Sequence, residues 1–272
     1  MKTILFPTDF SERANKALDQ AIFYAQVFKA KIIIYHTYHR DASNQHSDSK
    51  LAVETGIDHK FKKLLKDNEG LATLEHEFHK ELGVTYEKIP KFAHDINADL
   101  IIMATKGASG FDELWGTKTA AIVKRVAIPI LVIPDNTTLK HIKKVGLVSD
   151  YSKEVDYHSL DYLLDILKVM NLDIDVITLN RSEKPMNKEE MAYRLLVRKK
   201  LESVPSTFHF TFNNNVDKGI IDYSKSNDIG MIAILPRSYG FIETIFHDSL
   251  TEKMLFRSPI PLLILKSRKS YE

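Results

Sequence analysis

Three short segments hold the residue types that could cradle an anion. Pro7-Thr8-Asp9 closes the apolar run Ile4-Leu5-Phe6, Thr37 ends the run that starts at Lys31, and Met103-Ala104-Thr105-Lys106-Gly107-Ala108-Ser109-Gly110 precedes Gly116-Thr117-Lys118-Thr119. Glycine lets a backbone approach an anion closely, and the free N–H groups of a helix start favour negative charge. Gly107, Gly116 and Thr117 therefore suit a phosphate, although an ordinary glycine turn before a helix uses the same residues. The spacing is not that of a P-loop: five residues separate Gly110 from Gly116, and Lys118 follows Thr117 instead of preceding it. Asp9 also has two readings, a contact to a ligand's ribose or base and a cap for the helix that begins after Ser11.

Other chemistries find fewer residues. With no cysteine in the chain, disulfide scaffolds, thiolate catalysis and Cys-ligated metals are excluded. His36 and His39 lie three apart on a strand, which sends them to opposite faces, so no metal site is expected. Nothing resembles a nucleophile elbow, and no general base can be assigned, so an enzyme is not expected. Lys60-Phe61-Lys62-Lys63 and Arg198-Lys199-Lys200 read as solvated helix faces. The lone Trp115 reads as a core residue.

Strand ends can present these residues only if the elements behind them are parallel strands. Thr3–Pro7 and Lys31–His36 are near-continuous apolar, β-branched runs, as in strands buried on both faces. Between them Ala14, Ala17, Leu18, Ala21, Ile22, Ala25 and Phe28 recur at helical spacing behind a Ser11 N-cap. The pattern predicts further helices near 50–66, 93–97 and 117–126, and strands near 84–89, 100–103 and 129–133. Strands near 144–149, 173–179, 207–212, 229–235 and 261–265 follow. Alternating β and α elements imply doubly wound parallel sheets, with ligands beyond the carboxyl ends of the strands where their order reverses.

The chain also repeats itself. Ile4-Leu5-Phe6-Pro7-Thr8-Asp9-Phe10-Ser11 reads like Val145-Gly146-Leu147-Val148-Ser149-Asp150-Tyr151-Ser152, and Ile128-Pro129-Ile130-Leu131-Val132-Ile133 like Ile260-Pro261-Leu262-Leu263-Ile264-Leu265. Two domains, 1–138 and 139–272, are expected, joined through the polar stretch Pro134–Thr138. The two apolar closing strands need cover, and pairing with each other about a pseudo-two-fold axis supplies it. A net charge of +2 over 272 residues argues against nucleic acid as a partner. No apolar run is long enough for a membrane span and no leader pattern follows Met1, so a cytoplasmic protein is expected.

Taken in order, Ile4–Ser11, the run Ala98-Asp99-Leu100-Ile101-Ile102-Met103-Ala104-Thr105-Lys106-Gly107-Ala108-Ser109-Gly110, and Ile128–Ile133 resemble the universal stress protein family in its tandem form. The resemblance implies a flavodoxin-like five-stranded sheet in each domain, pairing through the last strands and, in one branch, binding of ATP or a related adenine nucleotide, with Mg²⁺ as its companion. It implies adenine or ribose contacts from Asp9 with its neighbours Pro7 and Thr8, a base-side contact at Thr37, and a floor at Met103. Phosphate contacts would come from Gly107, Gly116, Thr117 and Lys118, with Thr119 beside them. Ala104 stands where that branch has its first glycine, and eight residues instead of nine separate Gly107 from Gly116. In the second half, Pro236 replaces a cradle glycine and offers no N–H. The implied role is a stress-response protein that senses nucleotide in its first domain and acts through an unidentified protein partner, with a homodimer left open. The alternative is a scaffold of the same fold that binds no nucleotide.

Overall fold

The computed structural model describes residues 1–39, 50–105, 113–135, 137–149, 151, 157–180, 185–212, 215–235 and 250–266; the side chains of 113–118, 157–158, 179–180 and 211–212 are not described. The first half runs β1 (Thr3–Pro7), α1 (Glu12–Phe28), β2 (Lys31–Tyr38), α2 (Lys50–Asp67), α3 (Glu69–Ala72), β3 (His76–Leu82), α4 (Thr85–Asp95), β4 (Leu100–Thr105), α5 (Glu113–Arg125) and β5 (Ile130–Pro134). The second runs β6 (Lys144–Val148), α6 (Tyr157–Met170), β7 (Asp173–Asn180), α7 (Lys188–Lys200), β8 (Ser206–Phe212), α8 (Val216–Ser226), β9 (Met231–Ile234), α9 (Leu250–Arg257) and β10 (Leu262–Ile264).

Both doubly wound halves join in one ten-stranded sheet, ordered β3-β2-β1-β4-β5-β10-β9-β6-β7-β8. Within each half the neighbours are parallel, and the seam between β5 and β10 is antiparallel, with Leu131 opposite Leu263 at its centre. Successive residues of a strand face opposite sides. Ile4, Phe6, Leu131 and Leu263 therefore enter a core under α1, α2, α6 and α7, while Leu5, Ile130, Val132, Leu262 and Ile264 enter one under α4, α5, α8 and α9. Each core crosses the seam. Among the described residues, no helix is long and apolar enough to cross a membrane.

One strand lies elsewhere than the periodicity suggests. Val84–Ile89 forms no strand; β3 is His76–Leu82, and Thr85–Asp95 is helix α4, with Pro90 inside it. β3 is an edge strand carrying Glu77, Lys80 and Glu81, so it lacks the apolar run by which buried strands announce themselves. Ile89 and Ala93 are the buried side of α4, four residues apart. The polar stretch after β5 is fastened rather than loose: Arg13 pairs with Asp135 at 3.0 Å, and the Leu139 N–H donates to Gln20 Oε1 at 2.7 Å.

A half-buried cation also bridges the halves. Lys266, just past β10, donates from Nζ to the Val123 carbonyl in the last turn of α5 at 2.7 Å, and its own carbonyl accepts from Ser159 Oγ. Burial pushes its pKa down to about 8. An unfolded lysine titrates near ~10.4, so between about pH 8 and 10.4 the unfolded chain binds the extra proton and stability rises with pH. We expect this rise to total on the order of 2–3 kcal/mol, with the full penalty in place below about pH 8. In Lys266→Met, urea denaturation as a function of pH should lose that slope; a slope equal to the parent's would contradict the assignment.

Candidate functional site

β2 and β4 flank β1 on opposite sides, so the strand order reverses at β1 and a crevice is expected between β1 and β4. The hydrogen bonds show how it opens. The Thr8 N–H bonds to the Tyr35 carbonyl on β2, and the Thr3 carbonyl accepts from Asp99 beside β4. Main-chain groups alternate along a strand, so the odd residues of β1 face β4. The ladder between these strands contains Ile4–Leu100 and Leu5–Ile101 and then stops. Its next step requires an N–H from residue 7, and Pro7 has none. Beyond that point β1 stays with β2 as far as Pro7–Tyr35, while β4 stays with β5 as far as Thr105–Pro134.

The second half does the opposite. β6 and β9 pair through Val145–Met231, Gly146–Ile232, Leu147–Ala233 and Val148–Ile234, which takes both strands to their last residue. Val148 stands where Pro7 does and has an N–H to give. In the second half the two strands thus stay paired two residues further than β1 and β4 do.

Where β1 and β4 part, Thr8 is buried and fully engaged: its carbonyl accepts from His36 Nδ1–H at 2.7 Å and its Oγ1 accepts the Phe10 N–H at 3.0 Å. Asp9 is exposed, and its Oδ1 accepts the Ser11 N–H at 2.9 Å. The N-cap itself is Ser11, which accepts from Ala14, so Asp9 shapes the turn before the helix and does not cap it. Thr37 is half-buried with its hydroxyl on Thr85 of α4 at 2.8 Å. Met103 lines the α4/α5 side of β4, and Ala104 packs against the opposite core.

Other expected residues are placed differently or lie out of view. Gly107 lies outside the described residues, as do Asp150 and Pro236. α5 runs from Glu113, four residues before Thr117, so Gly116, Thr117 and Lys118 lie within its backbone. Thr119 is buried. The extra turn follows from the good helix formers Glu113 and Leu114, which outweigh the stopping tendency of Gly116.

Sequence reasoning missed an aromatic wall at the mouth. Phe10 takes a left-handed conformation, φ 61°, and its ring lies 4.7 Å from His36 and 5.2 Å from Phe61, with Lys60 Nζ 5.4 Å from its centre. Burial lowers the pKa of His36, against the raising effect of its bond to Thr8. No sequence pattern announces a bulky residue at positive φ, and the conformation recurs at Tyr151, φ 51°, in the second half. There Ser149, Tyr151 and Thr178 are buried where Thr8, Phe10 and His36 stand in the first, and the Tyr151 hydroxyl has Thr178 as its polar neighbour. Among the described residues, no group of three His, Asp or Glu could hold a metal ion.

The model of the universal stress protein family matches residues 1–134. A universal stress protein of Methanocaldococcus jannaschii is 32% identical over 144 residues, spanning 48% of this chain and 81% of its own. A second from that organism is 28% identical over 152 residues, spanning 48% and 94%. Among solved structures, a universal stress protein from Archaeoglobus fulgidus superposes with a TM-score of 0.75 at 19% identity, covering 97% of this chain and 96% of that one.

Proposed function

Starting from a chain that belongs to the universal stress protein family in its tandem form, we propose that it binds one adenine nucleotide, ATP or a relative, in its first domain and signals stress through a protein partner. The observation that supports this reading is the ladder that stops at Pro7: β1 and β4 part after two pairs, where β6 and β9 hold four, and a ligand would enter where the first pair of strands separates. Asp9, exposed beside the crevice with Oδ1 committed to its own turn, keeps Oδ2 to accept from a ribose hydroxyl or an adenine amino group. Pro7, Thr8, Thr37, Met103 and Ala104 form the walls. In this reading the phosphates fall to Gly107 and to the first turns of α5, with Gly116, Thr117, Lys118 and Thr119. Mg²⁺ would arrive on the nucleotide's own phosphates.

We assign the site to residues 1–138 and the role of pairing partner to 139–272. Binding without turnover suits a cytoplasmic sensor better than an enzyme, and Asp9, whose Oδ1 holds the Ser11 N–H, is cast here as a ligand contact and not as a base. Titration calorimetry with ATP and Mg²⁺ should give one site per chain. Asp9→Asn, which removes the charge from the hydrogen bond, should weaken binding about tenfold. Two sites per chain, or a full-affinity Asp9→Asn protein, would overturn the assignment; no binding at all would favour the nucleotide-free scaffold.

A further inference from the structure

Among the described residues the sheet ends in β3 on one side and β8 on the other, and the two edges differ in chemistry. β3 is protected by charge. β8 reads Ser206-Thr207-Phe208-His209-Phe210-Thr211-Phe212, with no charged side chain apart from what His209 can acquire, and no strand covers it among the described residues. Long uncharged edges invite another strand. The segment Thr207-Phe208-His209-Phe210-Thr211 is moreover a palindrome.

We propose that β8 pairs antiparallel with β8 of a second copy of this chain, about a two-fold axis through His209, so that two ten-stranded sheets become one. Register and backbone both permit it. The Ile174 N–H bonds to the Pro205 carbonyl, and Ile174 stands beside Ser206, so the odd residues of β8 turn their main-chain groups inward to β7. Ser206, Phe208 and Phe210 turn theirs out. Pairing about His209 sets Phe208 opposite Phe210 of the second copy as a hydrogen-bonded pair, which is the set of groups the edge presents. Thr207 then meets Thr211, and His209 meets itself. Aromatic–aromatic and Thr–Thr partners are among the favoured cross-strand pairs.

Apolar surface continues beside this edge. Phe210 is 39% exposed with the Arg194 guanidinium 4.9 Å from its ring, and Met191 and Leu195, flanking Arg194 on α7, are 54% and 65% exposed. The same operation on β3, about the equivalent His79, would set Glu77 against Glu81, carboxylate against carboxylate. One edge is built for self-pairing and the other against it.

The chain has no cysteine, so a single introduced one can bridge only to its own copy. His209→Cys should form an intermolecular disulfide on mild oxidation, because a residue on the axis lies within bridging distance of itself. Ser206→Cys, three residues off the axis, should not. In sedimentation equilibrium the unmodified protein should show the mass of two chains. Phe210→Lys should raise the dimer dissociation constant at least about tenfold, with an unchanged far-ultraviolet circular dichroism spectrum. Phe210→Pro, which removes an outward N–H at an edge position that tolerates proline, should do the same. A protein that stays monomeric throughout a dilution series, a dimer indifferent to both Phe210 changes, or equal cross-linking at 206 and 209 would each overturn the proposal.

Discussion

Leu263→Asp should lose on the order of 5 kcal/mol or more, enough to unfold both halves together in urea. Leu263 is fully buried at the centre of the seam, opposite Leu131, which is buried to the same degree. Both belong to the core under α1 and α6, so a carboxylate at 263 meets only apolar neighbours and has no partner for its charge. Whole-domain stability is typically about 5–15 kcal/mol, so this single change takes much of it. Leu263→Ala, which leaves a cavity without a charge, should cost about 3 kcal/mol, and Leu131→Ala about the same. Since the two side chains share neighbours, the double alanine variant should cost less than the sum. Urea denaturation followed by circular dichroism tests this. A normal midpoint for Leu263→Asp, or two transitions in the parent, would show that the halves do not depend on the seam.

The second large effect concerns the crevice. Pro7→Val copies the second half's Val148 into the first and restores the N–H that the β1–β4 ladder lacks. Zipping one more step should stabilise the fold by about 1 kcal/mol while closing the space that the nucleotide needs, so ATP affinity should fall at least about tenfold. Stability and binding thus move in opposite directions, which simple damage to the fold would not produce. Calorimetry and urea denaturation on the same preparation make the comparison. A Pro7→Val protein that binds ATP as tightly as the parent would remove the crevice from the argument.

Much of this architecture is legible in the sequence because buried parallel strands carry their own signature. β1, β2, β4 and β5 are apolar runs, and their counterparts repeat in the second half. β3 escapes that logic because an edge strand needs charges to protect it, and the apolar residues next to it, Ile89 and Ala93, belong to a helix. The candidate site was legible by residue type but not by mechanism. Proline at position 7 is plain to read; that its missing N–H points at β4 and not at β2 depends on the register of three strands. α5 likewise begins a turn earlier than glycine placement implies, because Glu113 and Leu114 favour helix more than Gly116 opposes it. The palindrome in β8 is visible in the sequence, yet it means nothing until the sheet order places it on an outer edge.

The fastened connection after β5 bears on how the duplication could diverge. Two separate single-domain chains must find each other, and their pairing would weaken on dilution. Here Arg13–Asp135 and Gln20–Leu139 hold the short connection against α1, so β10 meets β5 at a fixed effective concentration, in the millimolar range or above for short linkers. Scarcity of the protein in the cell then has no bearing on whether the halves pair. The second half keeps its place in the sheet by presenting Leu262, Leu263 and Ile264 to β5, so substitutions at its other strand ends leave that pairing in place.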